Sequence, residues 1–262
     1  MIIDTHCHLD NEQYYDDIDN VIKHALENKV KGFLIPGADF KDLPQAIKLA
    51  EKYDEIFFAV GIHPYDIEKY DEKVMQKYIN HPKCIAVGEC GLDYFRLPED
   101  KEEKEAVVKK QKEVFKAQIE FAKKVNKPLI VHIREASNDS REILINSNAK
   151  EVGGVLHCFN ASEHLLPLSE HNFYFGIGGV LTFKNAKKLV EILPKIPKEK
   201  LIIETDAPYL TPHPHRGTRN EPYYTNLVAD KISELLNMSR EEVENLTTNN
   251  AKTLFKQFSK II

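Results

Sequence analysis

Short apolar runs recur along the whole chain and alternate with segments whose apolar positions fall three and four residues apart. The runs at 2–9, 32–35, 56–61, 84–88, 129–133, 154–159, 174–177 and 201–205 read as strands, and their near-continuous hydrophobicity is what a parallel sheet covered on both faces requires. Between them, 14–28, 43–53, 66–79, 100–125, 141–145, 163–170 and 184–193 carry a helical pattern, and two or three further helices follow residue 223, expected to complete an outer ring. Strand starts recur at intervals close to one β/α unit. Eight such units predict a (β/α)8 TIM-type barrel, read as one hydrolase barrel domain over 1–262, whose functional site lies at the C-terminal ends of the strands. A doubly wound open sheet is the competing fold, but it gathers ligands at one switch point.

Composition adds boundaries to that picture. The 262 residues, 42% hydrophobic and 29% charged, fit one soluble barrel, and no apolar run is long enough to span a bilayer. The first residues run straight into a strand without a signal-peptide pattern, so the expected compartment is the cytoplasm; a monomer with no membrane partner is the expected state. A net charge of -5 argues against broad clamping of duplex nucleic acid while leaving room for a few phosphate contacts. Cys7, Cys84, Cys90 and Cys158 lack metal-site or disulfide spacing and read as reduced packing residues.

The chemistry stands where the strands end. His6 and His8, two residues apart in an extended segment, share one face. Glu89, His132, His157 and Asp206 each close a later apolar run. Only barrel closure brings these five strand ends together. Four imidazoles and two carboxylates form a mixed nitrogen and oxygen donor set, suited to Zn, Mn, Ni or Co, with Mg also open. Six ligands exceed one tetrahedral ion and suit two divalent metals about 3.5–4 Å apart. His63, at the end of the third strand, reads as a donor to substrate phosphate, and Arg134, two residues after His132, as a bidentate phosphate contact whose alternative is an ion pair with Glu135. Arg216 and Arg219 lie in the Pro-rich loop after strand eight, where substrate groups fall in this fold, one of them expected to anchor the loop through Glu221. Asp93 reads as a residue orienting a ligand or an arginine.

The stretches DTHCHLD (4–10), GIHP (61–64), GECGLDY (88–94), VHIREA (131–136), HCF (157–159), ETDAPYL (204–210), RGTRNEP (216–222) and NAKTLF (250–255) together resemble the TatD-type metal-dependent deoxyribonucleases of the amidohydrolase-type superfamily. The resemblance implies that His6, His8 and Asp206 hold one metal, that His132 and His157 hold a second, and that Glu89 bridges them. It implies a metal-dependent hydrolase cutting DNA phosphodiester bonds, a 3′-5′ exonuclease using metal-activated hydroxide. DNA, as an end or a single strand, is the expected partner, with RNA or tRNA as the other candidates. Asp206 is the candidate general base, with Glu89 and His63 completing the catalytic set. One departure stands out: the family continues HCF with Ser-Gly, and this chain has Asn160-Ala161. The competing function is a metal-dependent ester or amide hydrolase, such as a D-aminoacyl-tRNA deacylase.

Overall fold

Strand and helix alternate without exception until the chain's last fifth in the computed structural model, which describes residues 1–261. The strands are β1 (Ile2–Asp4), β2 (Val30–Ile35), β3 (Ile56–Val60), β4 (Cys84–Asp93), β5 (Leu129–Arg134), β6 (Gly154–Leu156), β7 (Phe173–Ile177) and β8 (Leu201–Ile203). All pair in parallel in sequence order. The seam between β8 and β1 is stitched just beyond the regular strands. Thr5 N donates to Ile203 O at 3.2 Å, Asp206 N to His6 O at 2.9 Å and His8 N to Ala207 O at 2.7 Å. The predicted (β/α)8 barrel is therefore the observed fold.

The helices are α1 (Ile18–Glu27), α2 (Leu43–Lys52), α3 (Glu72–Tyr78), α4 (Lys101–Val125), α5 (Ser137–Asn146), α6 (Lys187–Ile192), α7 (Thr225–Leu236) and α8 (Arg240–Leu254). The segment Glu163–His171 between β6 and β7 forms a 3-10 helix, with Pro167 inside it lacking the amide an α-helical turn would use. The charged α4 starts where Asp100 accepts the Glu103 amide and ends at Asn126 in the left-handed region. Its exposed face carries Lys and Glu. Its buried face carries two glutamines that act as backbone clamps: Gln111 exchanges hydrogen bonds with Asp93 N and O, both at 2.9 Å, and Gln118 with Ile62 N and O at 2.8 and 3.0 Å.

Two departures from the sequence expectation bear on the site. The fourth strand does not stop at Gly88 but continues to Asp93, so Glu89 lies within it. Its pairing explains why. Val87 opposes Leu129 and Cys90 opposes Val131, so three steps on β4 face two on β5 and the extra residue makes a bulge at Gly88 and Glu89. Gly88 takes φ 150°, and a Cβ there would stand 2.6 Å from Ile130 O. The first strand, conversely, is shorter than expected, because the chain bends at Thr5, whose Oγ1 donates to Ile203 O at 3.0 Å.

The barrel interior begins at the strand N-termini with an apolar floor that includes Ile3, Phe57, Ile85, Ile130, Val155 and Ile202. Phe255 and Phe258, just past α8, join that floor, and Phe258 meets the Phe57 ring edge-on at 5.0 Å. The expected outer-ring role of the C-terminal helices thus covers only part of what they do: the tail also plugs the barrel's N-terminal end. The larger apolar layer lies between the strands and the helices. Among the described residues, no helix is long and apolar enough to cross a membrane.

Candidate metal centre

Alternation along each strand delivers the polar side chains above the apolar floor. Ile130 faces inward, so His132 and Arg134 follow on the same side; Val155 does the same for His157, and Ile202 for Glu204. From β3 and the loop beyond it comes His63, and the β4 bulge turns in Glu89. After the bend at Thr5, His6 and His8 enter as well, so the expected convergence is reached by a bent path.

Glu89 is the hub. Its Oε2 lies 3.4 Å from His6 Nε2 and 3.9 Å from His8 Nε2. Its Oε1 lies 2.9 Å from His132 Nδ1, 3.2 Å from His157 Nε2 and 3.7 Å from His63 Nε2. The two oxygens of one carboxylate thus face two sets of imidazoles. Asp206 completes the first set, with Oδ1 at 3.6 Å from His6 Nε2 and 3.5 Å from His8 Nε2. Among the described residues, three donor groups are close enough to hold a cation: His6, His8 and Asp206; His6, Glu89 and His157; and His63, Asp93 and His132. The His6 and His157 rings stack in parallel at 3.7 Å between centroids.

The donor set fits a metal on electrostatic grounds. His6 is fully buried and neither ring nitrogen has a hydrogen-bond partner, an arrangement that leaves a polar group unsatisfied without a cation. Burial, reinforced by repulsion from His157, lowers its pKa and keeps it a neutral imidazole with a lone pair to give. Burial would raise the Glu89 carboxyl, but His157, His132 and His6 outweigh it and hold the group well below the usual carboxylate range. Asp206 follows the same balance, burial opposed by His8, His157 and His6, and is also depressed. A buried and a half-buried carboxylate, both held as anions amid imidazoles, are a cation's environment.

The partners on the far side of each ring fix which nitrogen faces the centre. His132 Nε2 meets Asp93 Oδ2 at 2.8 Å, leaving Nδ1 toward Glu89; the orienting role expected of Asp93 matches this geometry. His157 Nδ1 faces Glu204 Oε1 at 3.4 Å, leaving Nε2 inward. His63 is different. Its Nδ1 accepts the Tyr65 amide at 3.1 Å, and burial pushes its pKa down to about 4 despite the nearby Glu89, so the single ring proton of the neutral form sits on Nε2 and points inward. That tautomer makes His63 a hydrogen-bond donor to the site, and argues against counting it as a ligand although it belongs to a possible donor group.

Outside the centre the arginines divide. Arg134 lies with its guanidinium 3.6 Å over the exposed Phe95 ring and forms no ion pair with Glu135. Arg216 packs 3.9 Å over Phe183 and donates to Thr211 O at 3.2 Å. Arg219, read from the sequence as a substrate group, has its fork on Asp17 at 2.8 and 2.7 Å, on Glu221 at 2.9 Å and on Gln13 O at 2.6 Å. It is the loop anchor of the two, since those bonds leave its donors engaged inside the molecule.

Among the buried acids that escaped the sequence reading, Glu204 and Asp4 bear on the site. Glu204 is fully buried, accepts the Cys158 amide at 2.5 Å and leaves Oε2 unpaired; the signal was its place two residues before Asp206. Asp4 accepts from Thr205 Oγ1 at 2.6 Å, Thr205 N at 3.0 Å and His6 N at 3.3 Å, tying β1 to the end of β8, and its burial pushes its pKa up to about 8 despite those donors.

Residues 3–256 match the model of the family described as TatD related DNase. A metal-dependent hydrolase of Bacillus subtilis, YabD, described as uncharacterized, is 45% identical over 260 residues, 98% of this chain and 99% of that protein. The 3′-5′ ssDNA/RNA exonuclease TatD of Salmonella typhimurium is 33% identical, over 97% of this chain and 99% of its own length. The crystal structure of YJJV, a TatD homolog from Escherichia coli K12, superposes with a TM-score of 0.89 at 27% identity, covering 97% of this chain and 98% of that one.

Proposed function

The chain belongs to the TatD-related DNase family of metal-dependent hydrolases, and from that premise we propose that it cleaves phosphodiester bonds in single-stranded DNA from the 3′ end with a pair of divalent cations. The observation that carries this reading is the placement of Glu89, one carboxylate whose two oxygens face two separate imidazole sets. In it, His6, His8 and Asp206 would hold one cation, His132 and His157 the other, and Glu89 would bridge. When bound, such cations supply Lewis-acid neutralisation of phosphoryl charge and activation of water.

The remaining steps belong to side chains. The depressed Asp206 carboxylate is the base that takes a proton from the attacking water. His63 donates its Nε2 proton in a hydrogen bond to a phosphoryl oxygen, and Arg134, free of carboxylates, faces the neighbouring phosphate. Exposed Tyr65 and Tyr209 touch the rings of His63 and His8, and exposed Phe95 lies beneath Arg134. Aromatic faces beside the reacting centre support a base-bearing strand over a simple ester, and the name of the Salmonella relative supports the 3′-5′ direction.

The test is a labelled single-stranded oligonucleotide with the purified protein and Mn or Mg. Shortening from the 3′ end, arrest by a chelator, and a loss of at least about 100-fold in Glu89→Ala with an unchanged circular dichroism spectrum are expected. Full activity in Glu89→Ala would end the bridging role. Turnover of an aminoacyl-tRNA ester by a metal-loaded sample inert toward the oligonucleotide would transfer the chemistry to ester hydrolysis.

A further inference from the structure

At the end of the barrel opposite the metal centre, a cavity of about 390 Å³ lies where the chain enters β5, β6, β7 and β8. The C-terminal tail forms its remaining wall through Leu254, Lys256 and Gln257. This end of a (β/α)8 barrel ordinarily contributes packing alone, and packing has no use for polar groups left without partners. Several such groups line the cavity.

Tyr174 is the clearest. Only 6% of it is exposed, yet among the described residues its hydroxyl has no hydrogen-bond partner, so the cavity its side chain lines is where the proton can be given. Lys200 Nζ lies 4.4 Å from the centroid of the same ring. Among the described residues neither Lys200 nor the exposed Lys256 is paired with a carboxylate. Lys127 Nζ donates to Ile79 O at 2.6 Å and to Cys84 O, which leaves it one proton to give. Glu151 is the acid in the lining, and it is already engaged, by Asn148 Nδ2 at 2.5 Å and by Lys123 Nζ at 3.8 Å. Exposed Glu199 stands near Tyr174 outside the lining.

The volume admits one small molecule without deciding its class; the donors decide it. Three ammonium groups and a phenol, with the lining carboxylate committed elsewhere, call for an anion. A phosphate monoester carries close to two negative charges at neutral pH and three strong acceptor oxygens, against the single charge of a carboxylate, so it matches this donor set better. Beside the donors, Pro128, Val152 and Leu254 offer half-buried apolar surface for an organic body.

We infer that this cavity is a binding site for a small organic phosphate monoester, its phosphate held by Lys127, Lys200, Lys256 and the Tyr174 hydroxyl and its organic part lying on Pro128, Val152 and Leu254. Such a ligand ties the C-terminal tail, which plugs the barrel floor, to the starts of the strands. The site is independent of the metal centre and stands whichever bond that centre cuts.

Calorimetric titration of the full-length, metal-loaded protein with phenyl phosphate, benzoate and inorganic phosphate tests it. Phenyl phosphate is expected to bind saturably, about tenfold or more tighter than either other probe, and to raise Tm by about 3 °C at tenfold excess over Kd. Lys200→Ala and the near-isosteric Tyr174→Phe are each expected to weaken it about tenfold while Mn binding is unchanged. In Asp206→Ala, which cripples the metal centre, the binding persists. Absence of saturable binding, or equal affinity in the wild type and both cavity variants, overturns the site. Loss in Asp206→Ala with retention in Lys200→Ala assigns the phosphate to the metal centre and overturns it as well. Benzoate or inorganic phosphate binding as tightly as phenyl phosphate overturns the ligand class.

Discussion

Glu204 lies beneath His157, its Oε1 3.4 Å from His157 Nδ1 and bonded to the Cys158 amide at 2.5 Å, in the barrel interior where a methyl group on Gly176 would collide with its carboxylate. The carboxylate stands beside that nitrogen at ion-pair distance without a hydrogen bond to it, while Nε2 faces Glu89, and its charge favours the imidazole's protonated form. Burial lowers the His157 pKa, yet Glu89 and Glu204 together lift it well above the ordinary value.

Glu204→Gln keeps the shape and the Cys158 contact but removes the charge. Metal affinity is therefore expected to fall by about 10–100-fold, with a matching loss of kcat/KM on the oligonucleotide. Calorimetric titration of the metal-free protein with Mn checks this, because a residue that only fills space would leave the affinity unchanged.

Phe258 closes the barrel floor, at the end opposite the metal centre. Phe258→Ala removes a fully buried ring from between Phe57 and Phe255 and is expected to destabilise the protein by about 3–5 kcal/mol. Urea unfolding measures the loss. A fall in kcat at temperatures where the variant is still folded would contradict the separation of floor from site.

Asp39, in the loop after β2, accepts from Lys69 Nζ at 2.6 Å and from the Lys41 amide at 3.1 Å. Burial alone would raise its pKa, but Lys69 and that amide hold it below the ordinary carboxylate value. A depressed folded pKa contributes stability above the unfolded pKa of about 4, and that stability is lost as pH falls through the folded value. With Lys69 half exposed, Asp39→Asn is expected to cost about 1 kcal/mol at pH 7 and much less at pH 2. Urea titrations at the two pH values compare them; an equal penalty at both would mean that packing, and not charge, accounts for it.

Much of this was legible along the chain. The run Ile56–Val60 is buried at every position, and so it read as a strand covered on both faces. The ligand-type residues at strand ends could be listed from alternation alone. What misled the reading of β4 was a bulge: one extra residue, invisible without the partner strand, carries Glu89 inward from the middle of a strand that does not end there. Gln111 and Gln118 sat unremarked in a Lys/Glu-rich stretch because their partners, Asp93 and Ile62, are remote in sequence. The departure at Asn160-Ala161 also acquires a meaning, since Ala161 holds φ 58°, a conformation glycine adopts freely and the family's Gly would relieve.

Written along the chain are the periodicities, and hence eight strands, their helices, the barrel, and the set of imidazoles and carboxylates available at its mouth. Periodicity is a local property, written by which neighbours three, four or two residues away share a face. Register, tautomer and pairing are not local. That His63 points a proton inward, that Glu204 stands beside His157, that Arg219 is engaged by Asp17, and that Tyr174 lines a cavity under the strand starts depend on distances between segments far apart in the chain, which exist only once the barrel has closed.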